Sequence, residues 1–125
     1  TDSETLQKAV ETVIQEVGRI DVLINNAGYG LAGPVEDLER DEVCAQFETN
    51  VFGHVELTKY TIPHMRRQKS GLILNISSMA SQYGIPNVIA YTAAKSAIEG
   101  MTRAKAVELS PYDLQRGRIV YRGNQ

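Results

Sequence analysis

The stretch from Leu72 to Lys95 decides the reading of this chain. It runs Leu72-Ile73-Leu74-Asn75-Ile76-Ser77-Ser78, passes through a loop with Met79, Gly84 and Pro86, and resumes at Tyr91-Thr92-Ala93-Ala94-Lys95. A short apolar run ending in two hydroxyls predicts a buried parallel strand that opens at its carboxyl end. Tyr91 and Lys95 stand four residues apart at the start of a helical pattern, so their side chains share one face. A phenol beside an ammonium, opposite a serine at a strand tip, is a proton-transfer arrangement. A free tyrosine, with a pKa of about 10, is a poor base at neutral pH. A nearby cation favours the phenolate and lets such a group exchange a proton with an alcohol or carbonyl near working pH. Ser78 would hydrogen-bond the same substrate oxygen.

Upstream, Thr1-Asp2-Ser3-Glu4 fits a capping box. Leu6, Ala9, Val10, Val13, Ile14 and Val17 then follow the spacing of one helical face, with Gly18 as a stop. Asp21-Val22-Leu23-Ile24 predicts a short buried strand, followed by Asn25-Asn26-Ala27-Gly28 at its end. Helix then strand is half of a βαβ crossover. Gly28-Tyr29-Gly30-Leu31-Ala32-Gly33 matches G-x-G-x-x-G. A dinucleotide fingerprint, however, needs a helix opening through the last glycine, and here Pro34 follows. A flexible loop beside a substrate pocket is the better reading, and a phosphate-binding module is the weaker one.

Val43, Phe47, Val51, Val55, Thr58, Ile62 and Met65 recur at three and four, predicting one long helix from about Asp41 to Met65 with a kink or tightening at Pro63. Asn50 lies next to its apolar face, where a buried amide must find partners. His54 and His64 have no metal-ligand partner at useful spacing and read as helix-surface residues, so no metal site is expected. Arg66, Arg67 and Lys69 sit where a helix ends, a placement the helix dipole favours. Beyond Lys95 the helical pattern continues to about Ser110, where Pro111 ends it. Ala93, Ala97, Gly100 and Ala104 give this helix a flat face that a second helix can approach.

The 125 residues are 42% hydrophobic and 22% charged, which fits one globular domain without repeats or linkers. A net charge of −2 and the lack of a basic stripe give no reason to expect nucleic acid. Cys44 is the single cysteine, so no internal disulfide forms, which suits a reducing compartment. No apolar run approaches the roughly 18 residues of a membrane span, and Thr1 does not open a signal peptide. The expectation is a cytoplasmic protein.

Four features in order, Asn25-Asn26-Ala27-Gly28, Asn50 within Thr49 to Gly53, Asn75-Ile76-Ser77-Ser78, and Tyr91 to Lys95 with Ser78 thirteen residues before Tyr91, resemble the short-chain dehydrogenase/reductase family over about residues 1–111. The resemblance implies an α/β fold, a partial, doubly wound parallel sheet of Rossmann type. It implies an NAD(P)-dependent oxidoreductase that moves a hydride between a nicotinamide and a small-molecule alcohol or carbonyl, with NAD or NADP as cofactor. It assigns catalytic roles to Tyr91 as acid/base, Lys95 as its partner and ribose ligand, Ser78 as donor to the substrate oxygen, and Asn50 as holder of a relay water. Asn26, Ala27 and Gly28 would lie along the cofactor with Tyr91 and Lys95, and Ser77 would be structural. It also implies self-association through the two long helices.

Two departures stand out. The family's glycine-rich turn is not present in these residues, and Gln115 to Gly123 lacks the expected Pro-Gly. The sequence therefore resembles the middle of a family member, with an atypical tail from about Asp113, and the 125 residues alone are expected to be inactive. A non-catalytic fragment retaining only helix-mediated self-association is the alternative.

Overall fold

A computed structural model describes residues 2–112 and, for the backbone alone, 115–122. The elements are α1 (Ser3–Val17), β1 (Val22–Asn25), α2 (Arg40–Phe47), α3 (Gly53–Gln68), β2 (Leu72–Ser78), α4 (Ile89–Leu109) and β3 (Gln115–Arg122). The three strands pair in parallel in the order β1-β2-β3. Asn25 stands opposite Asn75, and the register between β2 and β3 shifts once, between Leu72 and Leu74. The tail that reads as atypical in the sequence thus supplies a third parallel strand.

The start of α1 differs from the sequence reading. Thr1 lies outside the described residues, and Asp2 is the N-cap, its Oδ1 accepting from the Glu4 N–H at 3.1 Å. Gly18 closes the helix in the left-handed region at φ 83°, which glycine enters without the steric cost of a Cβ.

The long helix also departs from a uniform rod. Between α2 and α3 the backbone widens into a π turn over Glu48–Phe52, where the Gly53 N–H reaches back to the Glu48 carbonyl. The irregularity lies there and not at Pro63, which the helix carries in its interior. A π turn holds one more residue than an α turn, so it rotates the following side chains relative to the preceding ones.

The sheet carries its polar side chains toward the helices. Asn25 Nδ2 donates to Asn75 Oδ1 at 2.8 Å and to Thr58 Oγ1 of α3 at 3.1 Å. Asn75 Nδ2 donates to Thr102 Oγ1 of α4 at 2.8 Å. These amides tie both helices to adjacent strands through buried hydrogen bonds that specify register; Asn25 Oδ1 alone of the pair's polar atoms is buried without a partner among the described residues. The apolar core beside them is Met65, Ile73 and Leu109, with Ile20, Leu23 and Ile62 packed around it. Gln68 closes this end by bracketing Ile20, accepting from its N–H at 2.9 Å and donating to its carbonyl at 2.8 Å.

The opposite face of β1 is not covered. Val22 is 48% and Ile24 55% exposed, and Val13 and Val17 of α1 are exposed as well. A parallel strand buried on both faces was expected; among the described residues, only the side bearing Asn25, Ile73, Asn75 and Ser77 is enclosed. No helix among the described residues is long and apolar enough to cross a membrane.

Candidate active site

Three elements converge where β1 and β2 end. β2 delivers Ser77 and Ser78, α4 delivers Tyr91 and Lys95 from its first two turns, and the π turn delivers Asn50. The strands end here because their tips are polar. Ser78 caps a 3-10 turn, Met79–Ser81, by accepting from the Ala80 N–H at 3.2 Å. That bond uses an oxygen lone pair and leaves the Ser78 hydroxyl proton free to be given away.

Lys95 is 4% exposed. Its Nζ donates to the Ile76 carbonyl at 2.8 Å and stands 5.7 Å from the centroid of the Tyr91 ring. Burial pushes the ammonium below the usual lysine range. One of its three donor positions is occupied by Ile76, and two remain for hydroxyl acceptors. Tyr91 is half-buried, and a Cβ built on Gly30 would come to 3.7 Å of its ring. Gly30, Ala32, Ala80, Ile85, Val88 and Tyr91 line an open cavity beside that ring. Its two rims are joined by the Gly33 N–H donating to the Asn87 carbonyl at 2.8 Å. The glycine-rich segment is therefore a cavity wall; no helix opens at Gly33, and a 3-10 turn follows at Val35–Asp37.

Asn50 is fully buried, and both ends of its amide are used by the backbone of one residue, Tyr29. Tyr29 N–H donates to Oδ1 at 3.0 Å, and Nδ2 donates to the Tyr29 carbonyl at 2.8 Å. Gln46 Nε2 joins at that carbonyl at 2.8 Å. A Cβ on Gly28 would lie 2.9 Å from Asn50 Oδ1, so the close approach of loop and amide needs glycine there. Asn26, Ala27 and Gly28 are exposed along the rim.

His54 is a correction to the sequence reading. It is 3% exposed, not on the helix surface, and its Nε2 lies 2.7 Å from the Ala27 carbonyl. A carbonyl only accepts, so Nε2 carries the proton, and Nδ1 is buried without a partner. Burial lowers the imidazole pKa below its ordinary value, Lys95 and Lys105 add to that, and the Ala27 bond opposes it. The signal for it was its position one turn after Asn50, on the same inward face.

Glu99 was also missed. It is 6% exposed and accepts from Ser77 Oγ at 2.7 Å, from Gln82 Nε2 at 2.8 Å, and from the Ser81 hydroxyl. Burial alone would raise its carboxyl pKa; the hydroxyls of Ser81 and Ser77 and the Gln82 amide outweigh that and hold it low. Ser77 Oγ is thus committed to the Glu99 carboxylate.

Comparison with known proteins gives a consistent result. The sequence model of the family described as short chain dehydrogenase matches residues 1–119, past the point where the tail was expected to depart. A 3-ketodihydrosphingosine reductase of Bacteroides thetaiotaomicron is 44% identical over 115 residues, which is 92% of this chain and 43% of that protein. The human 17-beta-hydroxysteroid dehydrogenase type 1 is 40% identical over 118 residues, 94% of this chain and 35% of that protein. Among solved structures, an NAD+-bound xylitol dehydrogenase superposes with a TM-score of 0.92 at 35% identity, over 98% of this chain and 47% of the other. ElxO with NADP bound gives 0.93 at 31% identity, over 98% and 49%. The chain spans under half the length of these relatives.

Proposed function

Since the chain belongs to the short-chain dehydrogenase family, we propose that it supplies the proton-transfer centre of an oxidoreductase acting between a nicotinamide, NAD or NADP, and a small alcohol or carbonyl. The observation that supports this reading is the buried Lys95 ammonium, 5.7 Å from the Tyr91 ring and on the same helix face, bonded to the carbonyl of Ile76 on the strand that ends in Ser78, a serine whose hydroxyl proton is uncommitted among the described residues.

The residues present fit a nicotinamide cofactor. The exposed backbone of Asn26 to Gly28 offers a bare rim, and Lys95 keeps two donors for ribose hydroxyls. The cofactor, when bound, gives or takes the hydride. The protein's own part is proton traffic and orientation. Ser78 donates to the substrate oxygen and holds it toward Tyr91. Tyr91 gives its phenolic proton to that oxygen during reduction, or takes one during alcohol oxidation, as general acid or base. Lys95 orients the cofactor through its two remaining donors. Asn50 keeps the loop at Tyr29 in place through both ends of its amide and, from that position, holds a relay water.

Self-association through α3 and α4 belongs to the same reading. Val55 and Ile62 of α3 and Met101 and Ala104 of α4 line one groove between the helices.

The test uses a protein of family length carrying these 125 residues. NADH and NADPH are titrated by fluorescence, and carbonyl reduction is followed by loss of nicotinamide absorbance. Binding of either coenzyme with turnover of a carbonyl supports the reading; a folded protein that binds neither would falsify it.

A further inference from the structure

We infer that Glu99 is a positioning residue that fixes the Ser78 hydroxyl relative to Tyr91, by clamping the turn that carries Ser78 onto the helix that carries Tyr91. The inference rests on the proposed function and deepens it.

The sequence places Tyr91, Lys95 and Glu99 four residues apart in succession, so one face of α4 presents all three toward β2. An apolar residue at 99 would pack there without cost. A carboxylate is expensive to bury and stays buried only where donors satisfy it. The donors that reach Glu99 come from one place. Ser77 precedes Ser78, and Ser81 and Gln82 follow it, so the three donors flank Ser78 on both sides.

The clamp reaches Ser78 itself. The Ser81 hydroxyl lies between the Glu99 carboxylate and the Ser78 carbonyl, 2.6 Å from the latter, so its one proton is shared between two acceptors. Ser77 Oγ also sits 3.4 Å from the Lys95 carbonyl, which brings the strand tip against the middle of the helix. Further along, the Ala80 N–H holds Ser78 Oγ at 3.2 Å, and Ala80 is fixed by the same turn. Ser78 and Tyr91 arrive from different elements, and the loop between them spans residues 82–88. Loop connections alone do not hold two reacting groups to a fraction of an ångström. The carboxylate joins the two supports directly, and misplacement by about 1 Å at such a site costs on the order of 100-fold in rate.

Glu99→Leu removes every acceptor at similar volume, and Glu99→Gln keeps one acceptor while its amide nitrogen faces the Gln82 donor. In the protein of family length, amide hydrogen exchange at residues 79–82 is expected to quicken by ~10-fold or more in Glu99→Leu, with Ile73 and Leu74 unchanged. The turnover number is expected to fall by ~10–100-fold while nicotinamide Kd stays as it was. Glu99→Gln should lie between, and Ser81→Ala should reproduce part of the loss. If Glu99→Leu does not fold, Glu99→Gln carries both measurements. Unchanged exchange at 79–82 in a folded variant overturns the clamp. Faster exchange with an unchanged turnover number overturns the positioning role, because the turn would then be loose without consequence for chemistry. A parent protein that shows no hydride transfer defeats the proposed function instead, and the exchange measurement still decides whether Glu99 holds the turn.

Discussion

At the level of single residues, the site divides its hydrogen bonds by direction. Ser78 accepts from backbone and keeps its proton to give; Lys95 gives one proton to a carbonyl and keeps two. Among the described residues, Tyr91 supplies the one phenol lining the cavity beside α4. Tyr91→Phe in the protein of family length is expected to cut turnover by several orders of magnitude while coenzyme binding survives, since it keeps the ring and removes the transferable proton. Steady-state kinetics with a coenzyme titration checks both halves, and unchanged turnover would take Tyr91 out of the mechanism. His54 gives a pH signature of a different kind. Its folded pKa is depressed, chiefly by burial, so the unfolded chain binds the proton first as pH falls. Stability is thus fully present above the unfolded pKa, near 6.5, and is lost as pH drops toward the folded value. Denaturant midpoints should fall between about pH 7 and 5. His54→Gln, which can still donate to the Ala27 carbonyl, should flatten that slope. A slope retained in His54→Gln and removed in His64→Gln would assign the proton to the other imidazole.

Elements are joined here by side-chain amides that imitate backbone. Gln68 brackets Ile20 and Asn50 brackets Tyr29, each with one donor and one acceptor to the backbone of a single residue. Both fix a loop to the same long helical run, one at each end of the sheet. At the α3 to β2 corner the packing is tighter still. A Cβ on Gly71 would sit 2.5 Å from Met65 Sδ and 2.9 Å from Met65 Cβ, and Met65 is fully buried at the core. The thioether end could swing away, but the Cβ cannot. Gly71→Ala should therefore cost about 1–3 kcal/mol through overpacking, each kcal/mol lowering Tm by roughly 4 °C in a domain of this size. Thermal melting by circular dichroism measures it, and an unaltered Tm would mean the corner relaxes freely. These contacts also explain what the sequence could disclose. Elements with strong period announced themselves: α1, β2 and α4 fall within a few residues of expectation, and β2 and α4 carry Ser78, Tyr91 and Lys95. The π turn at Glu48–Phe52 did not, because spacings of three and four tolerate one wide turn without breaking the stripe. His54 and Glu99 were hidden for a related reason. A polar residue on an inward face looks like an error in an apolar pattern until its partner, Ala27 or Ser77, is known to be near.

For the molecule as a whole, the enclosed and open faces of the sheet are very unequal. One face holds the Asn25–Asn75 pair, Ile73 and the helices; the other leaves Val22 and Ile24 about half exposed. A parallel sheet is stable when both faces are covered, and three strands with one bare face make a thin core. Among the described residues β1 pairs on one side only, leaving an edge that can add another strand. The relatives are more than twice as long, and dinucleotide affinity in this architecture rests largely on a glycine turn and helix N-terminus facing the pyrophosphate. The 125 residues carry Ser78, Tyr91 and Lys95, the proposed acid/base trio, without that turn. We therefore expect the isolated 125-residue chain to bind NADH and NADPH weakly and to give no measurable hydride transfer, and to self-associate through the open edge. Placing a charge on that edge by Ile24→Lys should raise its solubility without restoring coenzyme binding. Light scattering and a fluorescence titration read the two effects separately. Tight coenzyme binding with carbonyl reduction by the isolated chain would sink this expectation, and would mean that Ser78, Tyr91 and Lys95 are held in working geometry by α4 and the Glu99 clamp alone.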